Sequence, residues 1–175
     1  MDYVVGFQFN RDGDRVALIR KRRPEWQSGF WNGIGGKVEL GEPPETALWR
    51  EFKEETGVPQ DHIEWLPFVR LETWTKNRVF CYSSFTDQVE LIRSVTDEPV
   101  DIFSLVFATS MTDRLVHDVP WLVSMALSRF HRHVGGDGRE LASYMVVMEM
   151  PPKRGELESE AQRDRIFSQI FGHGR

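Results

Sequence analysis

The hydrophobic pattern at the start of the chain is that of paired β-strands. Residues 3–9 and 15–20 are rich in β-branched, aromatic and other apolar side chains, which favour strands. Between them lies the cluster Asn10-Arg11-Asp12-Gly13-Asp14, a composition typical of a turn. The pattern therefore predicts an antiparallel hairpin.

A second pair of β-rich runs follows in the middle of the chain. Residues 63–74 and 78–86 flank Thr75-Lys76-Asn77, so we predict a second hairpin there. Residues 102–107 are also apolar and partly β-branched, and they predict a further strand.

Two helices are predicted among these strands. The first begins at Pro43-Pro44-Glu45, because proline and an acidic side chain both suit the first turn of a helix. Gly57 ends this helix, and Pro59 prevents its continuation. Apolar side chains at helical spacing predict the second helix over residues 121–131,.

The pattern after the second helix predicts shorter elements. Residues 134–138 predict a turn, residues 141–149 a strand, and residues 156–171 a polar final helix,. A chain of 175 residues is long enough for one domain with its own core and too short for two. We therefore expect one domain over residues 1–150, with a helical C-terminal extension, residues 151–175, packed on the same domain.

Composition and charge narrow the classes of function. Hydrophobic residues make up 40% of the chain and charged residues 28%, as in ordinary globular proteins. The formal net charge of -5 disfavours binding of long nucleic acid by charge alone. No apolar stretch approaches the roughly 20 residues that cross a bilayer, and the N-terminus does not fit a signal peptide. We expect a cytoplasmic protein without a membrane partner.

Chemically distinctive residues are concentrated early in the chain. Six glutamates lie within residues 39–55, shortly after the basic run Arg20-Lys21-Arg22-Arg23. This arrangement suits a phosphorylated small molecule, bound through cations that neutralise the carboxylates. The single cysteine, Cys81, excludes an internal disulfide and predicts a buried, inert thiol.

Three of the glutamates, Glu51, Glu54 and Glu55, lie at positions i, i+3 and i+4 of the first predicted helix. Their carboxylates are therefore expected to project from one face, within reach of a shared ion. Mg²⁺ prefers such oxygen ligands and commonly bridges a protein to phosphate. A solvated acidic face is the alternative interpretation of the same residues.

The residues around this helix form a longer pattern. Gly36 is followed after five residues by Glu42, and after seven more by Arg50-Glu51-Phe52-Lys53-Glu54-Glu55-Thr56-Gly57-Val58. The pattern resembles the Nudix box and is far more specific than a lone glycine motif. The resemblance to the Nudix hydrolase family implies an α/β fold, an α/β/α sandwich around a mixed β-sheet. It also implies hydrolysis of a nucleoside diphosphate linked to another group.

The resemblance further implies roles for individual residues. The expected ligands of Mg²⁺, for which Mn²⁺ is a substitute, are Glu51, Glu54, Glu55 and the carbonyl of Gly35. Arg50 is expected to pair with Glu42 and so to hold the preceding loop against the helix.

Two glutamates are candidates for the catalytic base. Glu54 is the first choice, because it belongs to the helix face expected to carry the metal. Glu98 occupies the place where related enzymes supply an extra ligand or base, although a solvated loop glutamate is the alternative interpretation.

Residues 30–38, Phe-Trp-Asn-Gly-Ile-Gly-Gly-Lys-Val, are similar to the MutT-like branch of the family, which hydrolyses oxidised purine nucleoside triphosphates. The resemblance implies that Asn32 reads the purine edge, since an amide both donates and accepts hydrogen bonds. It implies substrate contacts at Gly36 and Lys37 as well. A turn-forming asparagine is the alternative for Asn32.

Further substrate contacts are expected from outside this segment. Asp118 is a candidate for base recognition, although it could equally cap the second helix, with Pro120 in the first turn. Trp26 is a candidate to stack on the base, and Arg22 or Arg23 to hold the triphosphate. A packed surface tryptophan and solvated charges are the alternatives for these residues.

The expected function is metal-dependent conversion of a nucleoside triphosphate to a monophosphate and pyrophosphate, with an oxidised purine such as 8-oxo-dGTP as candidate substrate. A Nudix hydrolase of a sugar nucleotide or an unmodified dNTP is one alternative, and a non-catalytic Nudix-like binding or regulatory module is another. The pattern leaves open whether the chain forms a homodimer.

Overall fold

The computed structural model describes residues 1–59, 63–73, 76–134 and 149–150. The strands in these ranges are β1 (Asp2–Phe9), β2 (Arg15–Arg20), β3 (Trp31–Asn32), β4 (Leu66–Thr73), β5 (Arg78–Phe85), β6 (Val100–Ser104) and β7 (Glu149–Met150). The α-helices are α1 (Pro44–Thr56), α2 (Leu105–Ser110) and α3 (Val119–Val134), and two short 3-10 helices span Glu25–Gln27 and Asp87–Leu91. The strands form one mixed sheet in the order β3-β2-β1-β5-β4-β7, and β6 joins it through β2.

Strand β1 lies at the centre of this sheet and has different neighbours on its two sides. Along one side, β5 pairs with it in parallel over all eight of its residues. On the other side, β2 pairs with it antiparallel, with Val16 opposite Phe9. The first predicted hairpin is therefore confirmed. The antiparallel pair of β4 and β5 confirms the second, although Thr75 of its predicted turn lies outside the described residues.

The segment that follows β3 pairs with the beginning of β1. The backbone N–H of Gly6 donates to the carbonyl of Ile34 at 2.7 Å, and that of Val4 donates to the carbonyl of Gly36 at 2.9 Å. Gly35 lies between these two contacts with φ of +151°, and a Cβ there would stand 2.2 Å from the carbonyl oxygen of Val4. Glycine alone permits this approach, so the segment lies tightly against the sheet.

Side chains of the strands alternate between two hydrophobic cores. On one face, α1 packs on the sheet through a cluster that includes Val4, Ala17, Ile19, Ala47, Leu48, Phe52 and Tyr82. On the opposite face, α2 and α3 pack on a cluster that includes Phe7, Phe9, Leu18, Cys81, Ala108, Leu122 and Val123. The predicted α/β/α sandwich around a mixed sheet is thus confirmed, and Cys81 is buried and not in a disulfide, as expected.

Helix α1 has the boundaries that the sequence predicts. Pro44 is its first residue, and Glu45 places a negative charge in its first turn. At the other end, Gly57 adopts φ of +70°, and its backbone N–H donates to the carbonyl of Lys53. A glycine in this left-handed conformation caps the C-terminus of a helix, so α1 ends at Thr56.

The strand predicted over residues 102–107 is partly wrong. Strand β6 begins earlier, at Val100, and ends at Ser104, and residues Leu105–Ser110 form helix α2 instead. The Oγ of Ser104 accepts a hydrogen bond from the backbone N–H of Phe107 at 3.4 Å. Serine is a favoured helix cap, and the buried Ala108 packs α2 into the core on this face of the sheet.

Helix α3 contains the predicted range 121–131 and extends beyond it at both ends, with Pro120 in its first turn as expected. The predicted turn after Val134, most of the predicted strand over 141–149, and the whole extension 151–175 lie outside the described residues. Of that strand, Glu149 belongs to the short β7, which pairs in parallel with β4. None of the described helices is long and apolar enough to cross a membrane.

Candidate active site

The second half of α1 brings its glutamates to the edge of the sheet. Glu55 is buried, at 8% exposure, beside the core residue Phe52, whereas the side chain of Glu54 is 58% exposed. The backbone N–H groups of Arg93 and Val95 donate to the carbonyls of Thr56 and Glu55. The segment before β6 is therefore tied to the end of the helix.

The end of strand β2 also lies close to the C-terminal end of α1. The backbone N–H of Arg20 donates to the carbonyl of Pro99 at 2.8 Å, so the last residues of β2 run beside Glu98. Lys21 follows Ala17 and Ile19 in the alternation of β2, and these two residues belong to the core under α1. The side chain of Lys21 is consequently directed toward the helix.

Lys21 joins two of the predicted functional glutamates. Its Nζ lies 2.5 Å from Oε2 of Glu98 and 3.2 Å from Oε1 of Glu55, and all three side chains are only 11–13% exposed. Oε1 of Glu98 also accepts hydrogen bonds from the backbone N–H groups of Arg22 and Arg23, and Oε2 of Glu55 accepts one from the N–H of Gly35 at 3.1 Å. We call Lys21, Glu55 and Glu98 the Lys21 cluster.

The Lys21 cluster contains one cation and two carboxylates. Burial opposes the charge of Glu98, but hydrogen bonds from Lys21 and from the backbone outweigh it and lower the pKa of Glu98 below its usual value. Burial dominates at Glu55 and raises its pKa to about 7. The pKa of Lys21 is raised, because its two acidic neighbours outweigh its own burial. Glu55 is thus the carboxyl whose charge is least compensated, and it is the one that takes up a proton in the absence of a further cation.

Arg50 is the second cation of the site. Its guanidinium donates to both carboxylate oxygens of Glu42 at 3.0 Å, to the carbonyl of Lys37 at 3.0 Å, and to Oε1 of Glu51 at 2.7 Å. Its Nη1 also lies 3.6 Å from Oε2 of Glu54. The structure therefore contains the predicted Arg50–Glu42 pair, and the same side chain also engages two of the expected metal ligands.

The oxygen atoms of the expected metal ligands suit a hard divalent cation. Their carboxylates, however, do not converge on one point. Within the described ranges, no three acidic, histidine or cysteine side chains are close enough together to hold a metal ion. The reason is visible in the pairs above, because Arg50 engages Glu51 while Lys21 engages Glu55. Carboxylate oxygens and a net negative charge are what Mg²⁺ prefers, so the residues fit the ion once Glu51 and Glu54 turn away from Arg50.

A glycine makes room for one of these carboxylates. A Cβ at Gly36 would stand 2.5 Å from the carboxylate carbon of Glu51, so any larger residue would displace that group. An open cavity of about 930 Å³ adjoins the same place, and its lining includes Lys37, Glu42, Arg50 and Glu51.

The predicted base-reading asparagine is held in one orientation. Asn32 is 9% exposed; its Nδ2 donates to Oε1 of Gln27 at 3.2 Å, and its Oδ1 accepts from the N–H of Gly33 at 2.7 Å. Sequence reasoning missed Gln27. The backbone of Trp31 pairs with Arg114 and Val116, which brings the segment before α3 alongside β3.

The other predicted substrate residues lie around this segment. Asp118 is half-buried just before α3, and burial raises the pKa of its carboxyl although the neighbouring His117 opposes the shift. Trp26 is 44% exposed in a short 3-10 helix. The side chain of Arg22 is exposed and pairs with Asp97 at 3.3 Å. Arg23 and Lys37 are also exposed.

Lys21 is a second residue of the candidate site that the sequence did not single out. It appeared only as one member of a basic run. A signal was nevertheless present, because Lys21 continues the alternation of Ala17 and Ile19 one residue beyond β2, and the alternation of a strand directs such residues to one face. The partners of Lys21 are distant in sequence, however, so only the fold identifies them.

Comparisons with known proteins point to one family. A family model described as the NUDIX domain matches residues 2–109, which is more than half of the chain. An oxidized purine nucleoside triphosphate hydrolase of Danio rerio is 41% identical over 58 residues, which cover 33% of this chain and 36% of that protein. A CTP pyrophosphohydrolase of Escherichia coli (strain K12) is 40% identical over 55 residues, which cover 31% of this chain and 40% of that protein. The chain thus spans less than half the length of these relatives.

A solved structure with a similar fold is a hydrolase of the NUDIX family from Clostridium perfringens. The two chains superpose with a TM-score of 0.59 at 17% identity, over 74% of this chain and 97% of the other. At this identity the likeness concerns the fold alone.

The first prediction concerns Arg50. We expect Arg50→Ala to lower the free energy of unfolding by about 1–3 kcal/mol, because it leaves Glu42 and Glu51 partly buried without their partner. The matched control is Arg78→Ala, which deletes an arginine that also binds a carboxylate through two nitrogens, that of Asp2, but is 47% exposed. An exposed pair contributes about 1 kcal/mol or less. Equal losses for both variants in urea denaturation would contradict the role of Arg50.

The second prediction concerns the pH dependence of stability without metal. Because the pKa of Glu55 is about 7 in the folded state, above its ordinary value, the folded protein holds a proton that the unfolded chain releases. The stability that this proton confers is therefore present at low pH and lost as pH rises through about 7. The loss reaches about 3 kcal/mol at most.

Urea denaturation in EDTA at several values between pH 5 and pH 8 measures this effect as the difference between wild type and Glu55→Gln. Subtraction removes the contributions of other titrating groups. A difference that stays constant over the pH range, or that favours wild type as pH rises, would show that Glu55 is not the group in question.

Proposed function

The chain belongs to the NUDIX domain family, and on that basis we propose that it is a metal-dependent pyrophosphohydrolase that converts nucleoside triphosphates to monophosphates and pyrophosphate. The observation that carries the proposal is the concentration of carboxylates on one flank of α1, where Glu55 is buried and its charge is only partly compensated. Buried charge of this kind is costly unless a cation compensates it. A divalent cation that also binds phosphate provides that compensation and the chemistry together.

Glu51, Glu54 and Glu55 would hold Mg²⁺, or Mn²⁺ in its place, together with the carbonyl of Gly35. The bound ion supplies polarisation of a phosphoryl oxygen and a lowered pKa of a water molecule. Gly35 has a second part in this arrangement, since its N–H donates to Glu55 and orients that carboxylate. Arg50 sets the position of Glu51 and holds the loop that carries Glu42.

Glu54 is the candidate base that the contacts favour over Glu98. Both oxygens of Glu98 are engaged, one by Lys21 and the other by two backbone N–H groups, and its lowered pKa makes it a weak proton acceptor. Glu54 is exposed and has only a long contact with Arg50. A base must reach a water molecule beside the phosphorus, and the side chain of Glu54 has that freedom.

Oxidised purine nucleoside triphosphates are the candidate substrates within this class. The support comes from the nearly buried amide of Asn32, whose orientation is fixed, and from the similarity to a relative with that named activity. Asp118 would complete the contacts to the base, Trp26 would stack on it, and Arg22, Arg23 and Lys37 would bind the phosphates, with Gly36 allowing close approach. The relative named for CTP makes an unmodified nucleotide the competing substrate, alongside a sugar nucleotide.

The third prediction tests the chemistry. We expect Glu54→Gln and Glu55→Gln each to lower kcat by about a hundredfold or more, because each removes a base or a metal ligand. Glu45→Gln is the matched control, since it makes the same change on an exposed residue in the first turn of α1. Release of pyrophosphate from a nucleotide panel measures the rates.

Two outcomes would contradict the chemistry. Near-normal turnover of either variant at saturating Mg²⁺ would show that the wrong helix face has been assigned. Binding of nucleotides by the wild type without release of pyrophosphate or phosphate would instead identify a non-catalytic binding module.

The fourth prediction tests the substrate. We expect kcat/KM for 8-oxo-dGTP over dGTP, or for 2-hydroxy-dATP over dATP, to be about tenfold or more, because a polar group of the site left unpaired by the normal base costs about 1–3 kcal/mol. Asn32→Ala should remove this preference while it leaves slow hydrolysis of poor substrates intact. CTP and a sugar nucleotide belong in the same panel. Equal values for both oxidised pairs in wild type would overturn the oxidised-purine assignment and leave the hydrolase chemistry standing.

A further inference from the structure

The three side chains of the Lys21 cluster come from three separate segments of the chain. Lys21 is the residue directly after β2, Glu55 belongs to α1, and Glu98 belongs to the segment before β6. The Nζ of Lys21 is in hydrogen-bond contact with both carboxylates, which are 11% and 12% exposed in their side chains. Lys21 therefore stands where a positive charge is needed to keep two buried carboxylates close together.

We propose that Lys21 is a positioning residue that substitutes for part of the metal charge: it holds Glu55 and Glu98 together in the metal-free protein and weakens their affinity for the metal. The inference rests on the proposed metal-dependent function. It concerns the side chain of Lys21 toward its two carboxylate partners and assigns it no contact with substrate.

The stabilising role of Lys21 in the metal-free protein follows from its contacts. Without the ammonium, Glu55 keeps only the N–H of Gly35 among its described partners and Glu98 keeps two backbone N–H groups. Without the ammonium, a buried carboxyl of this pair must either take up a proton or keep an uncompensated charge, and the loss of its partner destabilises the fold in both cases. The metal-free fold therefore depends on Lys21.

The weakening of metal affinity follows from Glu55, which is both a partner of Lys21 and an expected metal ligand. Oε1 of Glu55 already accepts from Lys21, and an ammonium beside a bound divalent cation repels it through a poorly screened environment. Metal binding at Glu55 must therefore weaken the Lys21–Glu55 contact. Removal of the lysine charge should leave Glu55 a better ligand.

The experiment compares Lys21→Met and Lys21→Gln with the matched control Arg15→Met. Arg15, the first residue of β2, is also basic and pairs with a glutamate, Glu90 at 2.6 Å, but both side chains are nearly half exposed. All three variants lose one positive charge, while Lys21→Gln retains a hydrogen-bond donor and serves if the methionine variant does not fold. The measurements are the thermal midpoint in EDTA and the dissociation constant for Mn²⁺, determined by electron paramagnetic resonance.

We expect both Lys21 variants to melt about 5 °C or more below Arg15→Met in EDTA, and to bind Mn²⁺ about tenfold or more tightly than wild type. A variant Lys21→Arg, which retains the charge, should bind Mn²⁺ within about threefold of wild type. These shifts are independent of turnover.

The outcomes separate this inference from the proposed function. Binding of Mn²⁺ by wild type, with unchanged or weaker binding by both charge-deleting variants, would overturn the role of Lys21 and leave the metal-dependent function intact. A thermal midpoint equal to that of Arg15→Met would overturn it as well. Failure of wild type to bind Mn²⁺ at all would overturn the proposed metal-dependent function itself.

Discussion

Negative charge at the margin of a hydrophobic core is the constraint on which the rest of this site depends. Helix α1 must place Leu48 and Phe52 against the sheet, and the same turns of helix bring Glu51 and Glu55 to the edge of that core. A carboxylate in such a position is costly unless it is paired or hydrogen-bonded. The packing that fixes the helix therefore requires positive charge beside it.

Two basic side chains meet this requirement, and each also joins separate parts of the chain. Arg50 connects α1 to the loop of Glu42 and Lys37, whereas Lys21 connects α1 to β2 and to the segment of Glu98. The loops around the site are consequently held by the same contacts that neutralise the glutamates. Because one ammonium serves two carboxylates, the neutralisation is incomplete, and burial leaves Glu55 as the carboxyl whose charge is least compensated.

The sequence predicts best those elements whose boundaries are set by the residues at the boundary itself. Pro44 and Gly57 define α1 because each acts through its own backbone conformation. The start of α2 after Ser104 was not predicted, because the apolar residues around Ser104 favour a strand, whereas the helix is capped by Ser104 and packs in the core through Ala108. The glutamates of α1 follow from helical spacing, but Lys21 does not, since its partners Glu55 and Glu98 approach it only through strand pairing and through the loop fixed to the end of the helix.

Asn32, the predicted base-reading residue, is oriented instead by partners close to it in sequence. Asn32 belongs to a strand of two residues, too short to orient a side chain by pairing alone. Its amide is fixed by Gln27, from the preceding 3-10 helix, and by the N–H of Gly33. Since Oδ1 has two acceptor positions and Nδ2 two hydrogens, each contact leaves one for a ligand, so Asn32 still offers an adjacent donor and acceptor. Specificity for a base is therefore expected to depend on the loop that positions Gln27 as much as on Asn32 itself.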